Sequence, residues 1–416
     1  MAVADTLPRL LVVMGSGETS PTMSKVHREL FSRLGPPPVP AVAIDTPFGF
    51  QSNADDVATK AVDYFRESVG RDIGVASFRS GEEIGTVAHE TAMARVREAR
   101  WVFSGPGSPS YALRQWRGSQ LPALLADKLE RGGCVVFASA AAVTLGPFAL
   151  PVYEIYKAGE TPAWLDGLDL MAAAGIRAAV IPHYDNAEGG RHDTRYCYMG
   201  ERRLVVLEDR LPADVFVLGV DEHTALILDL DAGTATVTGL GAVTVRRRGA
   251  STRFESGRTM SIGCLTGESA PADGVVTPAP PEPVPVARSP LRDELAQLDA
   301  GFSAALAARD APGAVGCVLQ LEQLLVDWSR DTLQSDDLDR GRATLRSMIL
   351  RLGEAADTGL RDPRDVVRPF VETVLDARAR AREDRRWADA DALRDRLLDA
   401  GIEVRDTPEG SEWDMG

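Results

Sequence analysis

From the N-terminus to about residue 203, short β-branched runs alternate with stretches whose apolar positions recur every three or four residues. The runs Leu10–Met14, Ala41–Ile44, Ile73–Phe78, Trp101–Phe103, Cys134–Ala138 and Ala178–Ile181 have the length and composition of strands. Helices are expected at about 22–34, 53–68, 83–99, 120–131 and 140–146. This alternation predicts an α/β fold, a mostly parallel sheet with helices on both faces. From about 204 the pattern changes to strands alone: Leu204–Leu207, Val215–Val220, Ala225–Asp229, Thr234–Thr238 and Ala242–Arg247, with tight turns such as Asp231-Ala232-Gly233 between them. These are expected to extend the sheet's edge as antiparallel hairpins. Prolines then crowd 269–289, a density that holds neither a helix nor a ladder and reads as an interdomain spacer. Beyond it, 292–309, 312–330, 335–354, 364–385 and 387–400 carry helical periodicity with Arg, Asp and Glu between, as in an all-α bundle. Gly401 to Gly416 looks turn-like. The expected domains are 1–268, the linker 269–289, and 290–416.

Composition narrows the class. The 44% hydrophobic and 26% charged fractions are those of a water-soluble globular chain. The first apolar run is too short for a signal peptide and no stretch suits a membrane helix, so a cytoplasmic location without membrane contact is expected. The cysteines Cys134, Cys197, Cys264 and Cys317 are scattered, which argues against a disulfide framework and a structural zinc site. No metal or cofactor is expected. The net charge of −15 handicaps nucleic-acid binding unless a local basic face exists.

The segment from Gly132 to Leu204 carries the chemistry. Gly133-Cys134-Val135-Val136-Phe137-Ala138-Ser139-Ala140-Ala141-Ala142 reads as a buried strand ending at Ser139 and running into a helix of small residues. A serine at such an elbow lifts its hydroxyl above the sheet edge beside helix N-terminal amides. Ile181-Pro182-His183-Tyr184-Asp185-Asn186 places His183 just past another strand, where it would share that edge and act as base. Glu154 and Glu160 lie between as carboxylates to orient it. A helix-cap serine and a structural histidine are the bland alternatives. Gly15-Ser16-Gly17-Glu18 lacks the remainder of either phosphate-binding motif and reads as a turn.

Residues 8–265 resemble the dipeptidase E and cyanophycinase family of serine peptidases, whose fold is class I glutamine amidotransferase-like, related to the flavodoxin-like folds. The resemblance rests on Phe137-Ala138-Ser139-Ala140-Ala141-Ala142 against a Gly-x-Ser-Ala-Gly-Ala elbow, and on Pro182-His183-Tyr184 with Asn186-Ala187 and Gly190-Arg191-His192-Asp193-Thr194-Arg195. It rests also on Ser104-Gly105-Pro106-Gly107-Ser108 at the oxyanion loop and on Gly219-Val220-Asp221-Glu222-His223-Thr224-Ala225-Leu226. The resemblance implies a nucleophile Ser139, a base His183 and, by its spacing from the serine, Glu154 as third member with Glu160 in reserve. It places the oxyanion amides at Gly107 and Ala140. Arg195, Arg202, Arg203 and Asn186 are candidates to grip a polar, aspartate-containing substrate. Phe137 and Ala141 replace the elbow glycines, and Pro106 removes a donor from the oxyanion loop, so a noncatalytic binding protein stays open as an alternative.

The C-terminal segment is similar to the helical region that ends cysteinyl-tRNA synthetases. Phe370-Val371-Glu372, Trp387-Ala388-Asp389-Ala390-Asp391-Ala392-Leu393-Arg394 and Gly401-Ile402-Glu403-Val404-Arg405 to Trp413 follow its DALR domain in order. The chain lacks that enzyme's His-x-Gly-His and Lys-Met-Ser-Lys-Ser signatures and its zinc ligands, so tRNA charging is not expected. Arg378, Arg380, Arg385, Arg386 and Arg394 are candidates to hold a tRNA stem, with interleaved acids weakening the stripe. The expected function is serine-dependent hydrolysis of a peptide, isopeptide or related amide, with the bundle recruiting tRNA or a protein, or pairing two copies of the chain. Hydrolysis of an aminoacyl or peptidyl group carried by tRNA is the reading that joins the halves.

Overall fold

The computed structural model describes residues 7–188, 192–267, 276–278, 289–331, 337–359, 363–407 and 410–415. Its chain forms two compact units, Met1–Ala296 with Glu322–Gly341, and Gln297–Leu321 with Arg342–Gly416. The expected break at 290 therefore falls inside the first unit.

In the first unit the strands β1 (Arg9–Met14), β2 (Ala41–Ile44), β3 (Gly74–Ala76), β4 (Trp101–Ser104) and β5 (Gly133–Ala138) run parallel. Between them lie α1 (Ser24–Arg33), α2 (Ala54–Tyr64), α3 (Val87–Glu98), α4 (Pro109–Trp116) and α5 (Leu121–Arg131). Because side chains alternate along a strand, Leu11, Val13, Val135 and Phe137 enter one core, while Leu10, Val12, Met14, Val136 and Ala138 enter the opposite one. Each fully buried side chain of this size contributes about 1.5–3 kcal/mol. This two-sided burial is why these runs carry no polar alternation. α6 (Ser139–Val143) follows β5 directly, and α7 (Val152–Tyr156) lies between the short paired strands β6 (Phe148–Ala149) and β7 (Leu165–Asp166).

The remaining strands split between two sheets. β8 (Ala178–Ile181) does not join the sheet of β5; it pairs in parallel with β9 (Phe216–Val220), after the intervening helix α8 (Gly200–Asp209). β10 (Thr224–Asp229) returns antiparallel beside β1 and is followed outward by β11 (Thr234–Gly239), so this part does extend the main sheet. β12 (Ala242–Arg247) and β13 (Ala250–Glu255) build the second sheet on β9, and β14 (Thr259–Ser261), followed by α9 (Gly263–Thr266), closes the edge of the first. The main sheet has the order β14-β11-β10-β1-β5-β4-β2-β3. β15 (Val276–Pro278) pairs with β13, so part of the Pro-rich stretch does hold a ladder; 268–275 and 279–288 lie outside the described residues. Leu204–Leu207 is helical rather than a strand: Leu204, Leu207 and Glu208 are buried at helical spacing while Val205 and Val206 face outward. Buried Arg246 of β12 binds α8 through Glu208 and Glu201 at 2.7 and 2.6 Å.

The helices α10 (Pro290–Ala307), α11 (Ala311–Trp328), α12 (Asp337–Gly359), α13 (Pro363–Glu383) and α14 (Trp387–Asp399) follow. The expected turn-like end is a hairpin, β16 (Ile402–Thr407) with β17 (Gly410–Met415), so the second unit is not purely helical. Ile402 and Val404 alternate with exposed Glu403 and Arg405, a period of two that buries one face with Val371 and Leu397. Arg378, only 4% exposed, crosses from α13 to Asp406 through two bonds of 2.7 and 2.8 Å. No described helix is long and apolar enough to cross a membrane.

Candidate active site

The site starts at the elbow. Ser139 has φ 49°, a left-handed conformation rare for a residue with a Cβ, and it sits where β5 passes into α6. His183, past the end of β8, also has φ 49°. Backbone strain at two residues of one site is the kind that surrounding packing must hold in place. Ser139 Oγ and His183 Nε2 are 2.9 Å apart. With Nδ1 protonated, that N–H donates to Glu222 Oε1 at 2.8 Å and leaves Nε2 to accept the serine proton.

The carboxylate on the histidine is thus Glu222, and the expectation of Glu154 is corrected. Glu154 lies on α7 and accepts from Ser110 Oγ at 2.9 Å, while Glu160 is exposed. The reason is register: Ile181 of β8 lies opposite Gly219 of β9, so the residues just past both strand ends are neighbours. The Tyr184 amide donates to the Val220 carbonyl, and the Glu222 amide donates to Asp185 Oδ1 at 2.7 Å. Asp221-Glu222-His223 carries the family resemblance without marking which of its residues acts. An acidic residue just past a strand that neighbours the histidine's strand was the missed signal.

Asn186, a candidate grip on substrate, spends its side chain on internal partners. It is fully buried, its Nδ2 donates to Glu222 Oε1 at 3.2 Å, and its Oδ1 accepts from the Glu188 amide. Arg195 is engaged by Asp193 through bonds of 2.9 and 3.0 Å and packs over Tyr196, which corrects its assignment as a free carboxylate grip. Arg202 and Arg203 lie on α8, the first exposed and the second partly so, and no contact joins them to the serine. Gly190 and Arg191 lie outside the described residues.

The elbow tolerates its replaced glycines. Neither Phe137 nor Ala141 has a positive φ, and Phe137 points away from the site, into the core beside Trp116. The Ser104–Ser108 loop is tied to the elbow, since the Ala141 amide donates to the Gly105 carbonyl at 3.1 Å. Gly107 has φ 134°, and a Cβ there would lie 2.0 Å from the Pro47 carbonyl oxygen, so only glycine fits. Ser108 caps α4 by accepting from the Tyr111 amide. The Ala140 amide belongs to the first turn of α6, where helix amides have no intrahelical acceptor. Gly15 and Gly17 serve close packing: a Cβ on Gly15 would strike the Asp221 carbonyl at 2.0 Å and one on Gly17 the His223 ring at 2.2 Å.

With this geometry in place, the comparisons separate the two parts of the chain. The fold of the N-terminal part is that of a solved peptidase. "Crystal structure of a peptidase from an acI-B1 Actinobacterium" matches with a TM-score of 0.50 and 19% identity, over 62% of this chain and 98% of that one. The structure titled "1.5A Crystal Structure of a Putative Peptidase E Protein from Listeria monocytogenes EGD-e" is also similar, at a TM-score of 0.38 and 16% identity over 56% of this chain and all of that one. The family described as "Cysteinyl-tRNA ligase anticodon binding domain" matches residues 367–413. The cysteine–tRNA ligase of Streptomyces coelicolor is 35% identical over 24% of this chain and 18% of its own length. That of Beutenbergia cavernae is 50% identical over 15% of this chain and 12% of its own. The chain therefore spans under a fifth of either ligase.

Electrostatics complete the site. Burial alone would lower the His183 pKa, but the Glu222 bond and charge, with Glu18 and Glu188, outweigh it and hold it above its ordinary value. Burial would raise Glu222, and the same partnership with His183, helped by Asn186, holds it low. Both shifts favour an imidazolium facing a carboxylate, the charge pair that proton abstraction from Ser139 would create. In the matched C-terminal segment, Arg378 is buried and committed to Asp406, and Arg386 bonds Asp384 and Asp389, so neither offers a free charge to a phosphate. Arg380, Arg385 and Arg394 are exposed.

Proposed function

We propose that the chain is a serine hydrolase that cleaves a peptide, isopeptide or related amide by acyl transfer. The observation that supports this reading is the continuous hydrogen-bonded chain from Ser139 through His183 to Glu222. Ser139 Oγ attacks the carbonyl carbon as its proton passes to His183 Nε2, and Glu222 stabilises the resulting imidazolium. In this reading the amides of Ala140 and Gly107 hold the oxyanion. His183 then returns the proton to the leaving amine, and a water attacks the acyl-enzyme by the same route in reverse roles. The test is labelling of the full chain by an alkyl fluorophosphonate. Labelling that is lost in both Ser139→Ala and His183→Ala is expected; native protein that does not label would exclude an activated serine.

A second reading is favoured by the match at 367–413: the acyl group is carried by tRNA, and exposed Arg380, Arg385 and Arg394 contribute to its docking. Filter binding of a tRNA mixture, repeated with these three arginines changed to alanine, separates it from the first. Retention that the triple change abolishes and that falls steeply with salt supports tRNA docking. No retention at low salt leaves the amide hydrolase alone.

A further inference from the structure

The end of α11 belongs to the first unit, and it lands on the turn that carries Glu222. Residues Glu322–Gly341 group with Met1–Ala296, whereas Gln297–Leu321 group with the second unit. Trp328, the last residue of α11, is 4% exposed, and its ring meets the His223 ring edge-on with centroids 5.8 Å apart. Two residues further on, Arg330 pairs with Glu67, just past α2. The helix end is thus seated at two points on the hydrolase part of the chain.

His223 follows Glu222 directly and has φ 50°, a conformation that its surroundings must hold. The loop after β1 grips the ring by its Nδ1 edge. A Cβ on Gly17 would lie 2.2 Å from that nitrogen. Nδ1 is 2.9 Å from Thr22 Oγ1, Thr22 Oγ1 is 2.6 Å from Ser20 Oγ, and Ser20 Oγ donates to the Gly17 carbonyl at 2.7 Å. The last bond fixes the direction of the row: His223 Nδ1–H donates to Thr22, and Thr22 donates to Ser20. Tyr64 holds the same loop by donating to the Ser20 carbonyl at 2.9 Å. Burial lowers the His223 pKa and so favours the neutral ring. Trp328 adds to this grip a contact from α11.

We infer that Trp328 is a positioning residue for the proposed hydrolysis: its contact with His223 holds the turn that aims the Glu222 carboxylate at His183. Glu222 and His223 share a peptide bond, so a shift of the His223 ring and backbone swings the carboxylate beside it. What has to be kept is the 2.8 Å bond between His183 Nδ1 and Glu222 Oε1. A misplacement of about 1 Å in such a group can cost about a hundredfold in rate. The helical part of the chain then does more than recruit a partner, since the end of α11 is needed for full reactivity of the serine.

This inference rests on the serine-hydrolase reading, and the wild type tells the two failures apart. Second-order rates of alkyl fluorophosphonate labelling at Ser139 are measured on the full chain by intact mass. A wild type that does not label overturns the hydrolase reading and this inference with it. If it labels, Trp328→Ala is expected to slow the rate about ten- to a hundredfold. Trp328→Phe, which keeps an aromatic edge, should restore the rate to within about threefold of wild type. In a Glu222→Gln background the alanine change should have no further effect, because the carboxylate it positions is already gone. A packing role alone would slow both backgrounds by the same factor, since it acts through the folded fraction. An unchanged rate in Trp328→Ala, or an equal loss in both backgrounds, would overturn the inference, as would a phenylalanine variant as slow as the alanine one. Rates are taken well below the melting temperature of each variant. Where the alanine variant does not fold, Trp328→Leu takes its place under the same criteria.

Discussion

Two buried charge arrangements, one in each unit, differ in how much of their hydrogen-bonding capacity is already spent. In the second unit Arg378 meets Asp406 in two short bonds, Ser411 adds a third contact, and the pair stitches α13 to the terminal hairpin. Only Arg378 Nε is left without a partner, and the Asp406 carboxyl is held far below its usual range by that guanidinium. At the elbow, by contrast, Ser139 and His183 have positive φ, and His183 keeps one nitrogen for a proton that can move. A charge pair with both terminal guanidinium nitrogens engaged supplies stability. A strained chain with one transferable proton is what the proposed chemistry needs, and the packing of Gly15 and Gly17 against the Asp221–His223 turn holds it together.

The largest test of this contrast is at the triad. Replacing Ser139 by alanine should lower turnover of any amide substrate by about 10⁴-fold or more. Glu222→Gln should cost about 10³–10⁴-fold in the rate of fluorophosphonate labelling, by loss of the correct histidine tautomer. Glu154→Ala should change the same rate by less than about threefold, because no transition-state contact is lost; a larger loss would restore Glu154 to the site.

The pH dependence sharpens the comparison. The proposed mechanism needs neutral His183, and the Glu222 charge holds the folded pKa above the ordinary histidine value. Labelling should therefore fall as pH drops through a midpoint above that ordinary value. In Glu222→Gln the midpoint should move down, since the favourable charge is gone. A midpoint that does not move would separate Glu222 from the titrating histidine.

A smaller effect is expected in the second unit. Arg378→Ala should lower its stability by about 1–3 kcal/mol, the range for charged hydrogen bonds, measured by denaturant unfolding. It should not alter the rate of Ser139 labelling. The smallest change is expected at Arg195, whose guanidinium is already satisfied by Asp193; alanine there should leave labelling within about twofold.

The serine and histidine were legible because their signals are local. A buried strand running into small residues marks Ser139, and a short apolar strand followed by Pro-His marks His183. The DALR-type string at 387–394 was equally plain, since helical order along one stretch of chain preserves it. The carboxylate that bonds His183 was not legible in this way. Glu154 and Glu222 both follow the serine in sequence, and only the pairing of β8 with β9 brings one of them to His183. Leu204–Leu207 misled because four apolar residues in a row fit a strand and a helix alike, until burial at 204, 207 and 208 selects the helix.

By itself, then, the sequence determined the alternation that makes the parallel sheet, the elbow, the histidine beside it and the composite character of the chain. All of these are properties of neighbours along the backbone. The tertiary structure decided the second sheet, the closing hairpin, the commitment of Asn186, Arg195 and Arg378 to internal partners, and the identity of the orienting carboxylate. Those depend on register between strands distant in sequence, and periodicity along one strand carries no record of which strand will lie beside it.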